Sequence, residues 1–220
     1  MSTSNYYLAN RSKLLKGHDK VISFGRKEMI EKFGREKARE ITDQARAEFE
    51  ALLPQMPYIG GDENSLTDTL VQVSSMLCLY RAMKLHGYSA AEAGELSHIM
   101  GQNFVNSYPR FLRFVIGKLY MSNFWRKRMR KKAAISQVRQ HPGNFVFEIV
   151  ENEKGFDWGV NYIECAIVKF FKQQGADDFT PYMCEIDNLM FPGMGIKLIR
   201  KGTIAQGCTH CDFRYQKGTV

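Results

Sequence analysis

His141 to Glu151, HPGNFVFEIVE, divides the chain. Pro142 and Gly143 break whatever precedes them, and Phe145, Phe147 and Ile149 then alternate with Val146, Glu148 and Val150. Alternation at period two in β-branched and aromatic residues is the pattern of a strand. Everything before this point reads as helix. Arg26 to Leu52 places Met29, Ile30, Phe33, Ala38, Ile41, Ala45, Phe49 and Leu52 at close to helical spacing among charged residues. Ser23 is the expected N-cap, Gly34 a weak point, and Pro54 and Pro57 the end. Gly60-Gly61, Asp62, Asn64 and Ser65 form a turn cluster. A buried helix is expected from about Thr67 to His86, closed by Gly87. Ser89 with Glu92 has capping-box spacing and opens a third helix. Phe111 to Arg139 reads as one or two more, with apolar and basic faces.

After the break, Val160 to Gly175 reads as a helix, and Thr180 to Gly193 is open between a short helix and an irregular turn. Ile196–Ala205 and His210–Tyr215 read as two strands. The expected fold is α+β: a helical part over residues 1–140 packed on a mixed part over 141–220 with a small antiparallel sheet, together one continuous domain.

The 220 residues, 44% hydrophobic and 25% charged, are enough to bury a sizeable core. No apolar run nears the roughly 18 residues that span a bilayer, and the N-terminus has no apolar core of a secretory leader. Five irregularly spaced cysteines favour free thiols in a reducing compartment, hence a cytoplasmic expectation.

The net charge of +8 is local. No acidic residue lies between Glu95 and Glu148, while ten Lys and Arg residues do, seven of them from Arg126 to Arg139. A run such as Arg126–Lys132 can serve nucleic acid or an anionic membrane surface. It reads more simply as the solvated side of a helix with Phe124, Trp125 and Met129 turned inward. Neither nucleic acid nor membrane is therefore expected as a partner. There is no P-loop, G-x-G-x-x-G, H-E-x-x-H or G-x-S-x-G.

Four of the five cysteines, Cys165, Cys184, Cys208 and Cys211, follow residue 160. Cys208-x-x-Cys211 with His210 suggests zinc. In a strand, however, Cys211 and Phe213 face one way while His210, Asp212 and Arg214 face the other, which separates the ligands. Plain thiols are the simpler reading, and no cofactor is expected, with zinc the alternative. Cys78, inside an apolar helix, reads as a small buried hydrophobe.

One ordered set of residues has a familiar form: Pro181-Tyr182-Met183-Cys184-Glu185-Ile186-Asp187, then Gly195 to Arg200, Thr203-Ile204-Ala205-x-Gly207, and Cys211-Asp212-Phe213-Arg214. This C-x-x-D … R-x-x-T-I-A-x-G … C-D-F-R pattern resembles the L-2-amino-thiazoline-4-carboxylic acid hydrolase family. Pro57 to Gly61 and Glu164-Cys165 resemble it too, so the likeness runs from about residue 50 to the end. Cys208 is outside the pattern. The C-terminal half is also similar to small α+β ligand-binding domains of the 4-vinyl-reductase type.

The resemblance implies ring-opening hydrolysis of a small thiazoline carboxylate to an N-carbamoyl-cysteine. Such a substrate needs an arginine for its carboxylate, Arg200 or Arg214, and a carboxylate for its basic amidine, Asp187 or Asp212. Attack at the ring carbon needs an activated water or a thiolate, and Cys184 and Cys211 are the candidate thiols. The catalytic set is thus expected to be Cys184, Asp187 and Cys211, with Arg200, Thr203, Cys165 and Arg214 around the substrate and no metal ligand. The competing reading is a non-catalytic domain that holds a small ligand or metal in a cysteine-lined pocket. A small molecule is the expected partner, and an oligomer is left open.

Overall fold

The computed structural model describes residues 3–151 and 155–218. The helical part is built from α1 (Thr3–Ala9), α2 (Arg11–Ser23), α3 (Arg26–Phe33), α4 (Arg35–Leu52), α5 (Thr67–Leu85), α6 (Ala90–Asn106), α7 (Arg110–Tyr120) and α8 (Asn123–Gln137). The remainder is β1 (Val146–Val150), β2 (Trp158–Glu164), α9 (Ala166–Gln173), α10 (Thr180–Glu185), α11 (Asp187–Gly193), β3 (Ile196–Ile199) and β4 (Cys211–Lys217). The sheet is antiparallel throughout, in the order β1-β2-β4-β3. The fold is α+β, as the sequence pattern implies.

Local chemistry explains most boundaries. Gly34, at φ 80°, separates α3 from α4. Ser89 accepts a hydrogen bond from Glu92 N–H while the Glu92 carboxylate accepts from Ser89 N–H, so the capping box is complete. Ser23 is not an N-cap: it ends α2, and its hydroxyl bonds back to Lys20 O at 2.6 Å. The largest departure is Val160–Glu164, which forms β2 rather than the start of a helix. Its Val160 and Tyr162 alternate with Asn161 and Ile163, a period-two pattern hidden by the apolar run that follows in α9. The strand expected over Ile196–Ala205 stops at Ile199, and a single 3-10 turn occupies Ile204–Gln206.

The sheet has two unlike faces. Trp158 pairs with Tyr215, Val160 with Phe213 and Tyr162 with Cys211, which stacks six inward side chains on the two central strands. Tyr120, at the end of α7, meets Trp158 and Tyr215 with ring centroids 5.3 and 5.2 Å apart, and Phe191 of α11 lies 4.8 Å from Tyr215. One hydrophobic core runs from Tyr7 in α1 through Phe49 and the α5 residues to Tyr215 in β4. α5 contributes inward residues round most of its circumference, including Cys78, which is fully buried.

Phe124 does not turn inward. It is 68% exposed, while Met129 on the same helix is buried and Trp125 is half-buried. The basic helix α8 therefore presents an aromatic residue to solvent at its first turn.

His18 on α2 is buried at 1% exposure and stacks on Phe49 of α4 at 4.7 Å. Neither ring nitrogen has a hydrogen-bond partner. Burial lowers its pKa from 6.5 to about 4. Between those values the unfolded chain binds a proton that the folded chain refuses, so stability is lost as pH falls from about 6.5 towards 4. The shift corresponds to roughly 3 kcal/mol. Replacing the ring by an apolar one of similar shape, His18→Phe, should flatten this loss. Denaturation midpoints at pH 7 and pH 4.5 should differ less in the variant than in the wild type.

Candidate active site

Arg200 leaves the end of β3 and turns inward, where its side chain is only 6% exposed. Its Nη1 donates to Asp187 Oδ2 at 2.9 Å, and its Nη2 donates to the carbonyl of Cys184 at 2.9 Å. Its guanidinium lies 5.2 Å from the centre of the Phe213 ring. The Cys184 carbonyl is free to accept because α10 ends at Glu185 and α11 starts afresh at Asp187, which leaves α10 with unsatisfied terminal carbonyls. One buried arginine thus ties β3 to the junction of two short helices and to the inward face of β4.

The segment after Arg200 is pinned by Asp212, whose Oδ1 accepts from the N–H groups of Lys201 and Gly202, both at 2.9 Å. The chain then passes Thr203, which is 1% exposed, and the 3-10 turn, and reverses at Gly207 with φ 89°. Ile204 N–H donates to Cys211 Sγ at 3.2 Å. The Thr203 hydroxyl donates to Gln206 Oε1 at 3.1 Å and lies within reach of the Cys184 sulfur. The Cys-Asp-Phe-Arg stretch therefore divides its labour along the strand. Cys211 and Phe213 face the site, Asp212 clamps the loop, and Arg214 points away.

Cys184 and Cys211 each come close enough to Asp187 to feel its charge, and Cys165 lies near both of those thiols. Tyr162, opposite Cys211 in the β2–β4 pairing, belongs to the same group, as do Tyr120 and Tyr215. Asp187 is surrounded by protein yet keeps 37% of its side-chain surface accessible, and Tyr162, Cys165 and Cys184 are half-buried. Those side chains form one partly buried cluster, with the more deeply buried Arg200, Thr203 and Cys211 packed beside them.

The electrostatics follow from this partial desolvation. Burial raises Asp187 from 3.8 to about 6, against the pull of Arg200. Burial pushes Cys165 and Cys184 up to about 12; the negative charge of Asp187 adds to the rise at Cys184. Cys211 is raised as well, but the Ile204 N–H and Arg200 both oppose the rise. Burial also lifts Tyr120, Tyr162 and Tyr215, so all three hydroxyls are neutral donors. At neutral pH the cluster holds the Asp187 carboxylate, one guanidinium, three thiols and three phenols, with the exposed Glu185 carboxylate at its edge, 3.6 Å from Arg200.

Six of the seven expected site residues converge here: Cys165, Cys184, Asp187, Arg200, Thr203 and Cys211. Arg214 does not. It lies on the opposite face of β4, its guanidinium 5.4 Å from the Phe156 ring and its Nη1 bonded to Phe213 O at 2.9 Å. Asp212, the alternative carboxylate, is spent on the loop. Glu164 pairs instead with Lys169 and Arg139. Cys208 is exposed. Among the described residues no group of three or more His, Cys, Asp and Glu side chains is placed to hold a metal. The three tyrosines are additions to the expected set. Tyr162 could have been found by reading Val160–Glu164 as a strand, since its alternation places Tyr162 on the face shared with Cys211.

The family model of L-2-amino-thiazoline-4-carboxylic acid hydrolase matches residues 76–215, well over half the chain. The chain belongs to this family. The matched segment contains every residue of the cluster and starts after Pro57–Gly61, which lies in the helical part. No curated protein and no solved structure matches the chain.

Thiol exposure gives a direct check on this arrangement. A charged disulfide reagent at pH 8 should modify Cys208 in the native protein in one fast phase that Cys208→Ser abolishes. The other four thiols should react at least tenfold more slowly until the chain is unfolded, because they are shielded and protonated.

Proposed function

We propose that this protein opens the ring of a small cyclic amidine carboxylate, of the L-2-amino-thiazoline-4-carboxylate kind, with Asp187 as general base. The supporting observation is Asp187 itself, a partly accessible carboxylate paired with Arg200 among three thiols and three phenols, with its pKa raised to about 6. A base works best when its pKa lies near the operating pH. Asp187 takes a proton from water as the oxygen bonds to the ring carbon between sulfur and nitrogen. The C–S bond breaks, and the departing sulfur recovers the proton from the Asp187 carboxyl. Water is consumed, and an N-carbamoyl-cysteine leaves with its thiol free.

Arg200 is a positioning residue in this reading, because its donors are already committed to Asp187 and Cys184 O and little of it is exposed. The substrate carboxylate then takes hydrogen bonds from neutral donors, Tyr162 and Tyr120 foremost. The family name supports hydrolysis of such a ring.

A covalent thiol route is the second reading, and one contact favours it. The Ile204 N–H on Cys211 Sγ would stabilise a thiolate there, with Asp187 near enough to affect its charge. Attack by Cys211 sulfur on the ring carbon passes the thiol proton to Asp187; the ring C–S bond then breaks, its sulfur takes that proton, and an isothiourea linked to Cys211 remains. Water must later cleave the adduct.

Turnover of the thiazoline carboxylate separates these. Asp187→Asn should lower kcat/KM by about 100-fold or more. The wild-type rate should fall on the acid side with an apparent pKa near 6, and Arg200→Gln should move that limb upward because the charge that opposes protonation is gone. If Cys211→Ser keeps full turnover, the covalent route fails. If Asp187→Asn keeps full turnover, the general-base reading fails. Ligand binding without turnover by the wild type would favour a binding domain.

A further inference from the structure

α7, RFLRFVIGKLY, is turned inside out. Its buried side is Gly117, where an added Cβ would lie 1.9 Å from the Met194 carbonyl oxygen, flanked by the half-buried Arg113 and Phe114. Its outward side carries Phe111 at 77% exposure, with Leu112, Val115, Ile116 and Leu119 each 40–49% exposed. At 100° per residue these five occupy one arc of the helix. Phe124, at the first turn of α8, is the next exposed aromatic after the corner. Solvated helices place apolar residues inward, so this arc is suited to a surface that is itself apolar.

The surroundings specify the charge of that surface. A cleft of about 610 Å³ between α7 and the α11–β3 turn is lined by Arg110, Arg113, Phe111, Phe114 and Met194 among others. A second cleft, sharing Pro192, Gly195 and Gly218 with the first, adds Lys197 and Lys217. Neither lining includes a carboxylate among the described residues. Along the chain, no acidic residue occurs from Leu96 to Phe147. Exposed Lys127, Arg128 and Lys131 extend the positive field along α8.

We infer that α7, with the α7–α8 corner, docks on an anionic lipid bilayer surface, the apolar arc entering the acyl boundary and the flanking cations meeting lipid phosphates. Lys118 borders the arc beside Phe111, and Arg110 and Arg113 lie on the Gly117 side at the start of the helix; an apolar helix face with Lys and Arg close by is the pattern of an interfacial, non-spanning membrane contact. No described helix is long and apolar enough to cross a membrane. A second copy of the chain fits less well, because its matching face brings the same positive charges into opposition. Nucleic acid would satisfy the cations but leave the five apolar side chains facing phosphate and water.

Flotation of the full chain with lipid vesicles tests this. The protein should float with phosphatidylcholine vesicles containing about a third phosphatidylserine and not with pure phosphatidylcholine, and binding should weaken at 0.5 M salt. Phe111→Ser/Ile116→Ser should lose at least tenfold in partitioning while keeping its circular dichroism and unfolding midpoint, since both side chains are exposed. Arg110→Gln/Lys127→Gln should lose roughly fivefold per charge at low salt. No flotation with anionic vesicles, or flotation unaffected by both double variants, overturns the inference. A wild type that sediments as a dimer and becomes monomeric in Phe111→Ser/Ile116→Ser overturns it as well, and gives the face to a second copy.

Discussion

A guanidinium with 6% of its side chain exposed has to be fully paired, and the pairing of Arg200 organises the C-terminal part of this protein. An unpaired buried charge costs several kcal/mol, about 3–5 when one partner of such a pair is removed. Arg200 meets this demand with Asp187, with the Cys184 carbonyl and with the face of Phe213. Each partner fixes something else. Asp187 sets the start of α11, the carbonyl sets the end of α10, and Phe213 belongs to the strand that centres the sheet. The break between α10 and α11 frees the Cys184 carbonyl for Arg200, since a continuous helix would use it internally.

Around this pair the protein places groups that are neutral at physiological pH. Burial makes thiols and phenols hold their protons and would make a lone carboxylate do the same, but the guanidinium limits the rise of Asp187 to about 6. One carboxylate that titrates near neutrality, Asp187, thus sits among neutral thiols and phenols, with Glu185 on the other side of Arg200. The cysteines of the signature need not all be nucleophiles to belong there. A protonated thiol is a small, weakly polar residue that packs beside Asp187 without adding charge.

Much of this was legible in the residues, and the failures have definite causes. The change of period at Phe145, the capping box at Ser89 and the positive-φ glycines Gly34 and Gly87 are local signals, and the structure carries each of them out. Cys184 and Asp187 stand well apart from Arg200 and Cys211 along the chain, and the structure brings them side by side. Val160–Glu164 was misread because its strand alternation runs without a break into the apolar face of α9, and periodicity alone does not arbitrate between a short strand and a helix. Tyr162 was lost with it. Arg214 was misplaced for a different reason: one residue along a strand reverses the face, so a motif can be contiguous in sequence and split in space.

The outward side of α7 follows a different logic from the rest of the molecule. The sheet face beside it is already covered by Tyr120, Trp158, Phe191 and Tyr215, and Gly117 must stay bare so that the Met194 carbonyl can approach. The helix is held by those contacts and by its two ends. Charged residues of good helix propensity at positions 111, 115 and 119 would serve its stability as well as Phe, Val and Leu do, and Val and Phe are the poorer helix formers. Nothing in the energetics of the isolated fold accounts for five apolar side chains on that arc. The same helix ends in Tyr120, whose ring packs on Trp158, Phe191 and Tyr215, so the exposed arc and the sheet face beside the Asp187 cluster are joined by one helix.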